Sequence, residues 1–472
     1  MILQLKKFLK SFSRLIFQQS SSQGVGLILV IVFMAIFLFL GTGTLHWVSL
    51  QNKISFQRVQ EENALQIAEA GINYYRWHLA HDNDDYQDGT GGPGPYIHDY
   101  KDASGKTIGK FSLEIDPPPV GSTVVTIKST GWTLTNPNIK RKIVSKIGIP
   151  SYAEYSFLTN TDVWFGDREH VSGKMHANGG IRFDGTCDSI LSSAKQTYIC
   201  KYHHGCGNQP KPGIWGDGGP KEFWRFPLPA VDFGVITINL AEIKAGAQAQ
   251  GVYLPPSGTY GWHLKFKSNG TFDIFKVTQL HRLRWGYSTH KGWILSSDDI
   301  RNEVFVENKA IPTNGLVFVE DKVWVDGIVR GRVTVASGRF PVNPRTYTSI
   351  VIPNNLVYTK KDGSDVLGLI AQNDVLIPRF SPNVLEIHGA LIAQNGATQR
   401  YYYPGNILDR LTTYGTLISN QVWTWTWVSG GGAVVSGYRN TFTTYDPNLI
   451  FAPPPFFPKK ENFEVLSWEE IK

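Results

Sequence analysis

Hydrophobic and polar positions divide the chain into one long helix followed by many short strands. Residues 25–50 form an apolar run whose only ionisable residue is His46. As a helix rising about 1.5 Å per residue, this run is long enough to cross a hydrocarbon layer of about 30 Å. Apolar positions then continue at helical spacing, at Ile54, Val59, Leu65, Ala68, Ile72 and Tyr75. The pattern predicts one continuous helix over residues 25–80, half in lipid and half above it.

The pattern after residue 80 is typical of β-structure. Asp, Asn, Gly and Pro cluster there and end the helix, and residues 97–150 carry short alternating runs separated by turns. These runs predict a small antiparallel β head packed on the helix. From residue 151, short apolar runs recur about every ten residues, most clearly in Gly315–Gly338. They predict a β-solenoid (β-helix) in which each turn stacks on the next, with a β-sandwich as the alternative fold.

The predicted fold class is mainly β with one long, pilin-like, membrane-spanning N-terminal helix. Four parts follow in chain order: a basic leader (1–24), the helix (25–80), the small β head (81–150) and the solenoid body (151–472). The body includes a cysteine-containing insertion (186–225) and a proline-rich tail (445–472).

The charge distribution argues for a membrane and against nucleic acid. The formal net charge is +7, but residues 1–60 hold six basic residues and no acidic one. The rest of the chain is close to neutral, with 40 basic against 39 acidic residues. Lys6, Lys7, Lys10 and Arg14 precede the apolar run, so the positive-inside rule places the N-terminus in the cytoplasm. We therefore expect a single-pass protein of the cytoplasmic membrane, in contact with inner-membrane lipid, with an extracytoplasmic body.

The N-terminal region resembles that of PilX-like minor pilins and related pilus-assembly proteins. The resemblance rests on a basic leader ending in Gly24, the apolar helix that begins at Val25, and an AEAG box at Ala68, Glu69, Ala70 and Gly71. It implies cleavage after Gly24 by a prepilin peptidase and assembly with other pilins or pilus-assembly proteins. One position departs from the pattern, because Leu29 stands where standard prepilins carry a glutamate that registers the subunit in the filament.

The resemblance extends to the body. The segments Ser172–Gly185 and Tyr445–Trp468 are similar to parts of an uncharacterised domain that follows PilX-like N-termini in bacterial envelope proteins. The resemblance thus covers most of the chain and implies display at the cell surface or in a pilus.

Small residues on the helix form a flat stripe for close packing. Ala64, Ala68 and Gly71 follow one another at helical spacing, so another backbone can approach them closely. The stripe either packs on the chain's own head or receives the helix of a partner.

The three cysteines, Cys187, Cys200 and Cys206, favour a disulfide in an extracytoplasmic protein. Either Cys200–Cys206 or Cys187–Cys200 would staple the insertion and leave one thiol free. A zinc site built from the three cysteines and His204 is the weaker alternative, because the spacing matches no familiar zinc pattern. No cofactor is predicted.

Trp423, Trp425 and Trp427 alternate with threonine. In a strand their rings would face one side about 7 Å apart, either covering the body or forming a stripe for a surface glycan or a protein partner.

Catalytic motifs do not stand out in the sequence. Acidic residues of the turns, Asp326, Asp365, Asp374 and Glu386, form no evident pair, and turn aspartates usually bond the backbone. We therefore expect a non-enzymatic structural or minor component of a type IV pilus or a related assembly or adhesion machine. The alternative is a membrane-anchored protein that binds a surface polysaccharide, with a polysaccharide-cleaving protein as the variant of that alternative.

Overall fold

The N-terminal helix is a single α-helix from Gly24 to His81. The computed structural model describes residues 24–236, 240–429 and 432–471, so the basic leader up to residue 23 lies outside the described residues. The helix is long and apolar enough to cross a membrane, and none of its most apolar 18-residue window is buried by the residues that the structure describes. The prediction of a mainly β chain carried by one long N-terminal helix is confirmed.

The head is an antiparallel sheet that packs on the second half of the helix. Ile72, Tyr75 and Leu79 of the helix are buried against it. Its strands, in spatial order, are Tyr96–Lys101, Thr107–Asp116, Val124–Thr133, Lys140–Gly148 and Glu464–Ile471. The last strand comes from the C-terminal tail, which we had assigned to the body. The head is therefore not confined to residues 81–150, because the edge of Lys140–Gly148 is completed by the end of the chain.

The body is a stack of short parallel strands, which is the pairing expected of a solenoid. Ten strands form one face, in stacking order Val252–Leu254, Leu316–Val319, Arg332–Ser337, Val366–Ala371, Val384–Ala393, Ile407–Ser419, Phe157–Thr159, Met175–Ala177, Leu191–Ser193 and Trp224–Arg225.

Two further rows of parallel strands complete the turns. One row contains Gly261–Lys267, Val323–Val329, Ile350–Val351, Val375–Leu376 and Thr398–Gln399, and a separate three-stranded sheet contains Val163–Phe165, Ile181–Phe183 and Ile214–Trp215. The other row contains Leu356–Tyr358, Val434–Thr444, Glu169–Val171 and Thr186–Cys187, together with parts of the longer strands.

The turns do not stack in chain order, which corrects our expectation that each turn packs on the next. The chain enters the middle of the stack at Phe157 and winds outward to Trp224–Arg225. It then crosses to the far end, forming the helices Phe233–Ile236 and Leu240–Gln250 on the way. From Val252 it winds back until Leu417 pairs with Phe157. Two separate segments thus build one continuous core.

Hairpins project from the stack at three places. The largest continues Gly261–Lys267 into the antiparallel strands Thr271–Leu280 and Ile300–Ala310 and holds a smaller hairpin, Arg284–Ser288 with Gly292–Ser296. The others pair Thr197–Cys200 with Gln209–Pro212, and Thr426–Val428 with Val434–Thr444. Short 3-10 turns lie at Tyr152–Glu154, Tyr202–His204, Lys221–Phe223, Pro344–Thr346 and Pro447–Leu449.

Candidate functional site

The small-residue stripe of the helix packs on the chain's own head sheet. Ala64 and Ala68 are fully buried there. A Cβ atom added to Gly71 would lie 2.3 Å from Ser129 Oγ, and one added to Gly131 would lie 2.4 Å from both Ala64 O and Ala68 N. The helix and the strand therefore meet at backbone distance, and glycine on each side makes that contact possible.

The remaining AEAG residues face other directions. Glu69 is exposed and Ala70 is half-buried. Closer to the N-terminus of the helix, the side chains of Ile54, Phe56 and Val59 are exposed, with Phe56 at 53%. The surface left for a partner helix is thus the lower, apolar part of the helix, whereas the stripe at Ala64, Ala68 and Gly71 is occupied.

The predicted cleavage position lies at the start of the helix. Gly24 is its first residue, and Val25 is exposed. The head begins to pack on the helix only near Gln60, about 35 residues further along the helix.

Of the two alternatives for the tryptophan stripe, burial against the body holds for Trp423 and Trp425. Trp423 and Trp425 are 5% and 1% exposed and lie inside the stack. Their ring centroids are 6.1 Å apart at an interplanar angle of 81°, and Trp423 also contacts Phe157 and Phe165. Only Trp427 reaches the outside. The regular strand begins only at Thr426. Trp423 and Trp425 therefore do not alternate along a flat strand, and both side chains point into the core of the stack.

The cysteines separate into a pair and a single residue. A disulfide joins Cys200 to Cys206, whereas Cys187 is a buried free thiol on a strand of the stack. Burial raises the pKa of the Cys187 thiol to about 11, and the charge of Asp188 adds to this effect. Within residues 24–236, 240–429 and 432–471, no group of three or more His, Cys, Asp or Glu side chains is placed to hold a metal ion.

The acidic residues of the turns each serve a local contact. Asp365 accepts hydrogen bonds from the backbone N–H groups of Gly331 (2.7 Å) and Lys360 (2.8 Å). Asp374 binds Lys291 Nζ at 2.6 Å. Glu386 lies 2.7 Å from His388 Nε2, and Asp326 lies 3.4 Å from His263 Nε2. The structure therefore distributes these four carboxylates over separate contacts rather than bringing them together.

A buried carboxyl that the sequence did not single out lies beside the inner tryptophans. Glu169 lines a small cavity of about 60 Å³ together with Trp423 and Trp425. Burial raises the pKa of Glu169 to about 8, and the charge of Asp167 adds to the rise. The carboxyl is therefore neutral at pH 7. In the strand Glu169–Val171 the first and third residues are buried and the middle one is exposed, so the strand turns the Glu169 side chain inward.

We expect Glu169→Gln to remove part of the pH dependence of stability. The folded chain holds a proton up to pH 8 that the unfolded chain releases near pH 4.5, so the free energy of unfolding falls as the pH rises through this window. The fall is about 1.4 kcal/mol per pH unit, and a neutral amide abolishes it. Denaturant titrations at pH 5 and pH 8 measure the difference between wild type and variant. Glu69→Gln, at an exposed position, is the matched control, and parallel curves for all three proteins would contradict the assignment.

Comparison with known proteins finds a distant structural neighbour. No family model matches the chain. The search of curated proteins also finds no match. Among solved structures the chain is similar to the competence-associated pilin ComZ from Thermus thermophilus, with 12% identity, a TM-score of 0.29, and coverage of 87% of this chain and 97% of that chain. A likeness at this TM-score carries no argument about fold or function.

Proposed function

We propose that the chain is a pilin-like, single-pass envelope protein that serves as a structural or minor component of a type IV pilus or a related assembly or adhesion machine. The observation that carries the proposal is the division of one helix into two halves. The upper half is buried against an antiparallel head, whereas the lower half is largely exposed from Val25 to Val59 and is apolar up to Leu50. Such a half needs a bilayer or a bundle of like helices to cover it.

The same helix accounts for the proposed location and partners. Its basic leader orients the N-terminus toward the cytoplasm and the anionic lipid surface. A prepilin peptidase acting after Gly24 would leave Val25 as the first residue of an uninterrupted helix. Other pilins would then replace lipid around Ile54 and Phe56, which the head leaves uncovered.

The test is N-terminal sequencing of the protein from sheared surface filaments and from membranes of the same cells. We expect chains that begin at Val25 in the filament fraction. A Gly24→Val variant should stay full-length and remain in the membrane, because the branched side chain alters the residue before the cleaved bond. Gly26→Val is the matched control, since it places the same side chain two residues further on in open space. Intact Met1 in membranes, with none of the protein in filaments, would refute the proposal.

A further inference from the structure

We infer that the outer face of the hairpin 284–296, together with Tyr402 and Trp427 of the stack, binds an acidic polysaccharide. The site lies on the body, far along the chain from the helix. The inference therefore goes beyond the proposed function and does not depend on whether the helix enters a filament.

Four aromatic side chains form a closed circuit on this face. The ring centroids are 5.6 Å apart for Tyr287 and Trp293, 6.0 Å for Trp293 and Tyr402, 5.9 Å for Tyr402 and Trp427, and 5.7 Å for Trp427 and Tyr287. Every neighbouring pair is close to perpendicular, with interplanar angles of 65° to 84°. In each pair the edge of one ring meets the face of the next, so the four rings support one another at one surface.

The circuit is open to solvent and continues along the hairpin. Trp293 is 55% exposed, and Trp285 on the same face is 59% exposed and pairs across the hairpin with Leu295. Within the described parts of the chain, no lysine or arginine covers the four rings, although cations lie over many other rings of this protein. This face is therefore available to a ligand, and its exposed apolar surface is larger than a single aromatic ring.

The hairpin is held rigidly against the stack. Tyr287 and Tyr402 exchange backbone hydrogen bonds of 3.1 Å and 3.0 Å. Trp427 Nε1 donates to the carbonyl oxygen of Arg400 at 2.9 Å, and Thr289 Oγ1 donates to that of Val422 at 2.9 Å. Folding therefore already orders these aromatic side chains. Because a ligand does not have to immobilise them, less entropy is lost on binding and the affinity is higher.

A polar cleft of about 640 Å³ begins at the tip of this hairpin. Thr289 and Gln421, which lie on the two segments that carry Tyr287 and Trp427, line it. Lys195 and Lys201 line it as well, and both side chains are exposed and form no ion pair among the residues that the structure describes. Asp162 is a negatively charged residue in the same cleft. Its carboxylate already accepts a hydrogen bond of 2.8 Å from the Gly180 N–H.

This combination fits a chain of acidic sugars. The C–H faces of a pyranose ring carry partial positive charge and stack on the negative faces of tryptophan and tyrosine. The hydroxyl groups match the side-chain amide of Gln421, which lines the cleft. The unpaired lysines select carboxylates. The polar cleft next to the aromatic face favours a ligand rich in hydroxyl groups over a purely apolar protein surface.

The test is calorimetric titration of the full-length protein in detergent with a polygalacturonate oligomer and, as the neutral arm, a cello-oligosaccharide of equal length. We expect the acidic oligomer to bind at least tenfold more tightly than the neutral one. Trp293→Ala should weaken binding of the acidic oligomer at least tenfold, and Trp293→Phe, which keeps a ring, should stay within threefold of wild type. The double variant Lys195→Ala/Lys201→Ala should bind the two oligomers about equally.

Trp77→Ala is the matched control, because Trp77 is equally exposed but lies on the helix. Its affinity for the acidic oligomer should equal that of wild type. The inference is overturned if wild type binds neither oligomer, if it binds the neutral oligomer as tightly as the acidic one, or if Trp293→Ala retains wild-type affinity.

Discussion

Replacing Gly131 with alanine is expected to loosen the head from the helix, at a cost of about 3 kcal/mol in the free energy of unfolding of the head. The new Cβ atom would lie 2.4 Å from Ala64 O and Ala68 N and 2.9 Å from Ile67 C. All three are backbone atoms of a continuous helix, so no side chain can move aside. The helix must shift away from the strand, and the burial of Ala68 and its neighbours is lost.

The measurement is thermal unfolding together with limited proteolysis, which reports cleavage between the helix and the sheet. Gly92→Ala is the matched control, since it adds the same methyl group to the same head but meets only Thr90 Oγ1, at 4.0 Å. Equal stability of the two variants would mean that the stripe of small residues does not set the distance between helix and sheet.

The sequence was sufficient to predict the helix and the face that it buries, but not how far that burial extends. Ile72 and Tyr75 lie on the predicted face and are buried. Ile54 and Val59 belong to the same periodic pattern and are exposed. Periodicity identifies one side of a helix, whereas the length of the partner sheet depends on strands far away in the chain.

The fifth strand of the head is a second case in which the local sequence pattern does not identify a distant partner. Glu464–Ile471 pairs with Lys140–Gly148 more than 300 residues earlier, and Arg141 bonds Glu470 across this pairing. Nothing in the local alternation of a strand specifies such a distant neighbour. The order of the solenoid turns was missed for the same reason, because Leu158 pairs with Ile418 although each strand alternates like any other in the stack.

The aromatic circuit on the hairpin 284–296 is not the tryptophan stripe that the sequence suggests. Trp423, Trp425 and Trp427 attracted attention by their alternation, yet only Trp427 belongs to the aromatic circuit. Two other members, Tyr287 and Trp293, face each other across the short turn of a hairpin, and Tyr402 comes from the stack. Cross-strand pairing of this kind is readable from the sequence once the turn is recognised, but the contact with Tyr402 is a tertiary one.

Replacing Trp425 with alanine is expected to cost about 4 kcal/mol in the free energy of unfolding of the stack. The indole is 1% exposed and packs at right angles to Trp423. Its removal leaves a cavity. The surrounding strands are fixed by backbone hydrogen bonds, so they cannot move inward to fill it. Because Trp425 Nε1 has no hydrogen-bond partner within the described residues, the loss is one of packing alone.

The loss in the free energy of unfolding should therefore depend on how much of the ring the replacement of Trp425 keeps. Trp425→Phe keeps much of the ring and removes an unpaired buried donor, so we expect it to cost less than half as much as Trp425→Ala. Trp285→Ala, at an exposed position, should stay within about 0.5 kcal/mol of wild type. Denaturant unfolding of the three variants measures these differences. A cost for Trp425→Ala no larger than that for Trp285→Ala would place Trp425 outside the core, and its alternation with Trp427 would then again favour a single exposed stripe.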